Sequence, residues 1–318
     1  MRLLIWASSY GQTTGGGPVL APLLAAALGR RGHDVTVLTD RRPEHLAPTE
    51  TRDGVRVHRP LFRRALAGDV ALIPAIRREV AAIKRERRPD LAFIFSSGYG
   101  EFFHHVTEGG RPVPLVVGLH DRFPEACYRA DAMVARNLRA AGWVTACSTA
   151  VLETARYHLP ALIPISSVIH NALPMPDEQA VRPDGAVRRL AYVGRLVRQK
   201  GVDVLIAAMK LLGDRFPALN LAIAGDGDER PALEGQAVQL GLGTRIVFVG
   251  TLSHDAVYPF LAEADLVVMP SRIESFGLVA LEAAQMARPI VASAVDGLLE
   301  VIDDHKAHAR AGHIQSAF

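Results

Sequence analysis

Short apolar runs of strand length recur along this chain, each followed by a stretch of helix length, and this alternation limits the fold more than any other feature. Leu3–Ala7 reads as a strand, Gly15–Gly17 as a loop, Pro18–Arg31 as a helix ended by Gly32, and Val35–Thr39 as the next strand. Leu91–Phe95, Leu115–Leu119, Trp143–Cys147 and Ser167–Ile169 continue the series. Strands buried on both faces read as continuous apolar runs, and helical crossovers between them impose parallel pairing. The spacing predicts one doubly wound α/β domain over residues 1–173.

The pattern then stops and restarts. Pro174-Met175-Pro176-Asp177-Glu178-Gln179, followed by Arg182-Pro183-Asp184-Gly185, has neither periodicity and reads as a linker over 174–187. Beyond it come strands Arg189–Val193, Leu219–Ala224, Arg245–Val249, Leu266–Met269 and Pro289–Ala292. Between them lie helices Gly201–Leu212, Pro231–Leu240, Ala256–Ala262 and Gly277–Met286. A second parallel α/β domain is expected over 188–318. Two such halves imply a cleft lined by loops at the carboxyl ends of strands, where open α/β sheets bind ligands.

Composition narrows the function classes. With 49% hydrophobic and 22% charged residues the chain is globular rather than disordered, and Cys127 and Cys147 are too few for a disulfide framework or a zinc site. No run reaches the length of a membrane span, and Leu3–Ala7 is too short for a secretory core, so a cytoplasmic protein is expected. Residues 1–175 hold 22 Lys and Arg against 15 Asp and Glu, whereas residues 176–318 hold 14 against 18. The first half therefore suits an anionic partner. Nucleic acid is not expected, because no recognition motif accompanies the charge.

Three loops carry candidate chemistry. Gly11-Gln12-Thr13-Thr14-Gly15-Gly16-Gly17 opens a helix, where free amides favour an anion, yet it matches neither the dinucleotide fingerprint nor a P-loop and reads equally well as a flexible turn. In Gly194-Arg195-Leu196-Val197-Arg198-Gln199-Lys200-Gly201, Arg195 and Lys200 can clamp a diphosphate or form a solvated basic loop. Only 4 of the 36 basic residues are lysine, which singles out Lys200. In Pro270-Ser271-Arg272-Ile273-Glu274-Ser275-Phe276-Gly277-Leu278, Glu274 precedes a helix start that can hold phosphates, and Glu282 lies inside the helix, placed to accept hydrogen bonds from vicinal hydroxyls. The alternative makes Glu274 a cap and Glu282 a surface charge.

Taken together, Arg195 and Lys200, Gly225-Asp226-Gly227, Phe248-Val249-Gly250, and Pro270-Ser271 with Glu274, Phe276-Gly277 and Glu282 resemble in order and spacing the retaining family-4 glycosyltransferases of GT-B fold. Arg31-Gly32-His33-Asp34-Val35, His120-Asp121 and His170-Asn171 extend the resemblance into the first half. It implies an α/β chain of two Rossmann-like, doubly wound parallel-sheet domains facing a cleft. The implied activity is transfer of a sugar from a nucleotide-diphosphate sugar to a carbohydrate, lipid-linked or small-molecule acceptor, with retention and with neither metal nor cofactor. Arg195 and Lys200 would bind the diphosphate and Glu282 the ribose. Glu274, with the backbone of Phe276, Gly277 and Leu278, would bind the transferred sugar. His120 would contact that sugar from the first domain, Gly16 and Gly17 would lie against the phosphates, and Gly227 and Val249 would complete the donor site.

The resemblance runs to about Glu300. Where the family continues with closing elements, this chain gives Asp303-Asp304-His305-Lys306 and a tail without periodicity, so the second domain is expected to be incomplete. A catalytically weak or inactive nucleotide-sugar-binding remnant is therefore the alternative. An epimerase of the same two-domain fold lacks this combination of residues. One further expectation concerns 71–88, where Leu72, Ile76, Val80 and Ile83 form an apolar stripe and Arg77, Arg78, Lys84, Arg85, Arg87 and Arg88 a basic face. That face is either solvated or a peripheral contact with the inner face of a membrane.

Overall fold

In the computed structural model, described residues are 1–11, 16–95, 100–107, 112–177, 181, 183, 185–213 and 215–302. Expectations for the glycine loop at 12–15, for residues 178–180, 182 and 184 of the linker and for the tail at 303–318 lie outside them. The chain divides into two compact units, Met1–His170 and Asn171–Phe318.

The first unit runs β1 (Arg2–Ala7), α1 (Gly16–Arg30), β2 (Asp34–Thr39), β3 (Thr49–Arg52), β4 (Val55–His58), α2 (Phe62–Leu66), α3 (Ile73–Arg87) and β5 (Leu91–Ile94). It continues with α4 (Glu101–Val106), β6 (Leu115–Leu119), α5 (Met133–Ala140), β7 (Trp143–Ala146), α6 (Thr149–His158) and β8 (Ser166–Val168). The sheet order is β3-β4-β2-β1-β5-β6-β7-β8. The apolar run Leu3–Ala7 is buried throughout, as a central strand covered on both faces must be. Leu3 lies opposite both Val35 and Leu91 in parallel register.

One edge departs from the expected pattern. β3 pairs antiparallel with β4 through the Asp53-Gly54 turn, whose residues have φ of 51° and 76°. β3 is exposed along its length while β4 alternates, a half-buried hairpin that continuous apolar runs do not reveal.

α3 buries Ile76, Val80 and Ile83, as its stripe predicts. Lys84 does not join the expected basic face. It is buried, and its Nζ donates to the carbonyls of His104 and Thr107, each at 2.7 Å, at the carboxyl end of α4. Burial brings its ammonium down to about 8. The long side chain serves as a cap because the last carbonyls of α4 lack helical partners. Lys84→Met keeps the volume but leaves two carbonyls without this donor, and an unfolding titration should show a loss of about 2 kcal/mol. Unchanged stability would show that water satisfies them.

The second unit runs β9 (Arg189–Val193), α7 (Val202–Leu212), β10 (Asn220–Ala224), α8 (Arg230–Gln239), β11 (Ile246–Gly250) and α9 (His254–Ala262). β12 (Leu266–Met269), α10 (Leu278–Gln285), β13 (Ile290–Ala292) and α11 (Leu298–Val301) follow. Its sheet, β11-β10-β9-β12-β13, is parallel throughout. Alternation along β9 sorts the two cores. Leu190 and Tyr192 join α7 and α8 on one face, whereas Ala191 joins α9 and α10 on the other.

Residues 173–175 dock on this unit. The Gln285 side-chain amide donates to the carbonyls of Leu173 and Pro174, and Tyr258 Oη donates to Gln285 Oε1 at 3.1 Å. Arg288, itself buried, donates to the carbonyls of Met286, Ala264 and Val181. No helix among the described residues is long and apolar enough to cross a membrane.

Candidate functional site

Because β10, β9 and β12 are parallel neighbours, the loops that follow them leave the sheet at the same end. The loop after β9 is fastened on both sides. Toward β10, the Leu196 amide donates to the Asp226 carbonyl at 2.9 Å and the Glu229 amide to the Leu196 carbonyl at 3.0 Å. A Cβ on Gly227 would lie 2.4 Å from the Leu196 carbonyl oxygen, so the two backbones approach where only glycine fits. Toward β12, the Arg272 amide donates to the Gln199 carbonyl at 2.8 Å. Arg272 also forks onto Asp203, with Nη1–Oδ1 at 2.8 Å and Nη2–Oδ2 at 2.7 Å, and this holds the Asp203 carboxyl below its ordinary range.

Gly201 closes the loop. It is left-handed at φ 66°, and a Cβ there would lie 2.0 Å from the Pro270 carbonyl oxygen. The consequence of this fastening is an ion pair between the two most informative sequence positions. Lys200 Nζ donates to Glu274 Oε2 at 2.6 Å, and Ser271 Oγ donates to the same oxygen at 3.2 Å. The pair is mostly shielded, with side chains 20% and 11% exposed. Glu274 is fixed from its backbone as well, since its amide donates to Asp296 Oδ2 at 3.3 Å and its carbonyl accepts from the Gly297 amide at 3.1 Å.

Arg195 is exposed, while its carbonyl accepts from the buried Tyr192 hydroxyl at 3.1 Å. Its backbone is anchored and its guanidinium reaches into solvent. Gly277 is left-handed at φ 93° and sets Leu278 as the first residue of α10. Phe276 is buried, so its side chain packs while its backbone stays in the loop. Gly277 is the residue that precedes α10, and the Glu274 carboxylate is engaged by Lys200 and Ser271.

Glu282 corrects the surface-charge alternative. It is buried on α10, and burial pushes its carboxyl up to about 7. His254 Nδ1, at the start of α9, stands 3.6 Å from Glu282 Oε1. Val249 is exposed on the edge strand β11, whose last residue, Gly250, accepts the Gly225 amide at 2.7 Å. In the first unit, Gly16 and Gly17 open α1, and His120 follows β6 with its ring stacked on Phe95, centroids 4.2 Å apart.

Sequence reasoning missed His254, Asp296 and the Arg272–Asp203 fork. Arg272 precedes Glu274 by two residues, but its partner lies 69 residues away, and no spacing rule joins them.

This arrangement offers two cations on the loop after β9, two shielded carboxylates and a helix start at the carboxyl end of a parallel sheet, which suits a ligand bearing both phosphate and hydroxyl groups. The fold is GT-B. HepE of Anabaena in complex with UDP-glucose superposes with a TM-score of 0.71 at 21% identity, over 94% of this chain and 82% of that one. Two family models match in succession, one described as Glycosyltransferase Family 4 over residues 14–174 and one as Glycosyl transferases group 1 over residues 177–315.

Among relatives, a glycogen synthase of Mycobacterium tuberculosis is 32% identical over 315 residues, spanning 88% of this chain and 74% of that protein. An uncharacterized glycosyltransferase of Methanocaldococcus jannaschii is 44% identical over 115 residues, a match confined to 36% of this chain and 29% of that protein. The chain belongs to the glycosyltransferases that join a family 4 domain to a group 1 domain.

Proposed function

We propose that this chain transfers a glycosyl group from a nucleoside-diphosphate sugar to an acceptor hydroxyl, with retention at the anomeric carbon. The observation that carries this reading is the Lys200–Glu274 ion pair at 2.6 Å beside the start of α10. In this reading Lys200 and Arg195 receive the diphosphate, and Glu274 turns toward hydroxyls of the transferred sugar. The backbone of Phe276, Gly277 and Leu278 completes the sugar and phosphate contacts, with Gly227 and Val249 beside the nucleotide. Glu282 accepts the ribose hydroxyls. Gly16, Gly17 and His120 contribute from the first unit. The relative named above for its complex with UDP-glucose supports a donor of this class.

Transfer with retention passes through an oxocarbenium-like transition state in which negative charge builds on the departing diphosphate. Cations fixed before the reaction stabilise that charge more than they stabilise the bound donor, so their effect falls on turnover. Arg195, Lys200 and the helix start supply the positive charge, and the reading requires no metal or cofactor. Turnover in excess EDTA is expected to equal turnover without it; a loss restored by magnesium would overturn this part. Cys127 and Cys147 are not joined in a disulfide, which fits a reduced, cytoplasmic compartment.

Glu282 sets a pH dependence. Ribose hydroxyls donate to an ionised carboxylate, and this carboxyl ionises only as pH rises through about 7. Donor affinity should therefore climb from pH 6 to pH 8, and Glu282→Gln should flatten that rise. Stability runs the other way. A carboxyl raised in the folded state is stabilising below its unfolded value and loses that contribution as pH rises through about 7. Glu282→Gln should then raise the melting temperature at pH 8 and not at pH 5, and a pH-independent difference would contradict the assignment.

Incubation with a panel of uridine and guanosine diphosphate sugars, reading free nucleotide and the anomeric coupling of the product by NMR, tests the reaction itself. A retained configuration supports the reading. An inverted product refutes retention, binding without turnover favours the remnant, and no binding to any donor sinks both.

A further inference from the structure

Glu274 is held by Lys200 and Ser271, whereas the basic group that stands beside the buried Glu282 carboxylate is His254, with Nδ1 3.6 Å from Oε1. That separation is an ion-pair distance and too long for a hydrogen bond, so His254 leaves the carboxylate free to accept from a ligand. The imidazole is itself held in place. Its ring meets Tyr258, one turn further along α9, edge to face with centroids 5.6 Å apart. Tyr258 is buried, and its hydroxyl is tied to Gln285 of α10 at 3.1 Å. Val257, Tyr258 and Leu261 of α9 share one core with Ala280 and Ala283 of α10, and this packing fixes the ring beside Glu282.

Charges on the other elements packed against α10 do not substitute for it. β13 (Ile290–Ala292) carries no titratable side chain, α11 (Leu298–Val301) carries Glu300, and α9 carries Asp255 beside His254. The flanking loops hold two further cations, and both are engaged. Arg272, before α10, is forked onto Asp203, and Arg288, after it, donates to three backbone carbonyls.

A buried carboxyl accepts best from hydroxyl groups when ionised, and ionisation without a counter-charge is costly. An imidazole can supply that counter-charge. Carrying its hydrogen on Nε2, it takes the Glu282 proton at Nδ1 and becomes an imidazolium opposite the carboxylate. A helix start disfavours a cation, so the charge on His254 depends on the carboxylate opposite it.

We infer that His254 is a positioning residue for nucleotide binding, which takes the proton from Glu282 as the ribose hydroxyls arrive and holds the carboxylate ionised in the bound state. The inference rests on the proposed placing of the ribose at Glu282.

The full chain and its His254→Asn and His254→Lys variants are titrated at pH 6 and pH 8 with UDP-glucose, whose diphosphate does not itself titrate over that range. Affinity of the unaltered chain is expected to rise by about 2- to 3-fold, and that of His254→Asn by about 10-fold, as for a lone carboxyl that ionises near 7. The asparagine variant should therefore bind about 3- to 5-fold more weakly than the unaltered chain at pH 6 and about equally at pH 8. His254→Lys, which places a lasting cation opposite Glu282, should bind with an affinity that is flat over the range. A loss equal at the two pH values, no loss at pH 6, or a rise in His254→Lys as steep as in His254→Asn overturns the inference. Unfolding free energies of His254→Asn, Glu282→Gln and the double variant at pH 7 read the pair without ligand. Non-additive losses are expected, and additive ones would overturn the pairing. Failure of the unaltered chain to bind UDP-glucose, with the losses still non-additive, would sink the donor reading and leave the pair standing.

Discussion

Replacing Lys200 by alanine is expected to lower turnover by roughly two to three orders of magnitude, the range seen when one preorganised donor to a developing negative charge is removed. The cost to folding should be far smaller. Glu274 loses its 2.6 Å partner but keeps the Ser271 hydroxyl at 3.2 Å, and unfolding free energy should fall by about 1–2 kcal/mol. The two effects separate in the double variant. Lys200→Ala/Glu274→Gln removes the uncompensated carboxylate and should recover stability, whereas turnover stays low because Arg195 alone is left to meet the diphosphate. Recovery of turnover along with stability would mean that Lys200 serves only to neutralise Glu274.

Gly201→Ala should be a severely damaging small substitution near the site. Its Cβ would lie 2.0 Å from the Pro270 carbonyl oxygen and 3.0 Å from the carbonyl carbon, so the loops after β9 and β12 must separate. Gly241 supplies the control. It has nearly the same backbone, φ 70° against 66°, but nothing within 4 Å of the added carbon. Gly241→Ala should cost about 1 kcal/mol, the penalty of a left-handed alanine alone. Gly201→Ala should cost about 3 kcal/mol or more and should also depress turnover, because the Lys200–Glu274 pair depends on the same apposition. Thermal unfolding of both variants measures the difference, and equal losses would show that the loops yield without strain.

The central strands could be read from the sequence because burial on both faces leaves a continuous apolar signal. Leu115–Leu119, Arg189–Val193 and Leu266–Met269 match the observed strands residue for residue. The β3–β4 hairpin left no such run. Its signal was the Asp53-Gly54 dipeptide before the alternating Val55-Arg56-Val57-His58, a period of two rather than an apolar block. Helix polarity misled at Lys84 and left Glu282 open for one reason. Lys84 read as part of a basic face, and Glu282 as either an acceptor for vicinal hydroxyls or a surface charge, yet both are buried, one beside unmatched helix carbonyls and one on α10 facing His254. Burial of a charge depends on what lies opposite, and that partner comes from a distant segment. Arg272–Asp203 and Glu274–Asp296 were hidden in the same way.

The loops after β9 and β12, with Glu282 of α10, are proposed to hold the donor, and a crystal structure of this chain with bound nucleoside diphosphate decides the matter. Phosphate oxygens are expected against Arg195 and Lys200, with the Lys200–Glu274 contact lengthened from 2.6 Å, and ribose hydroxyls on the Glu282 carboxylate. A nucleotide bound elsewhere, or bound here with its ribose turned away from Glu282, would contradict it.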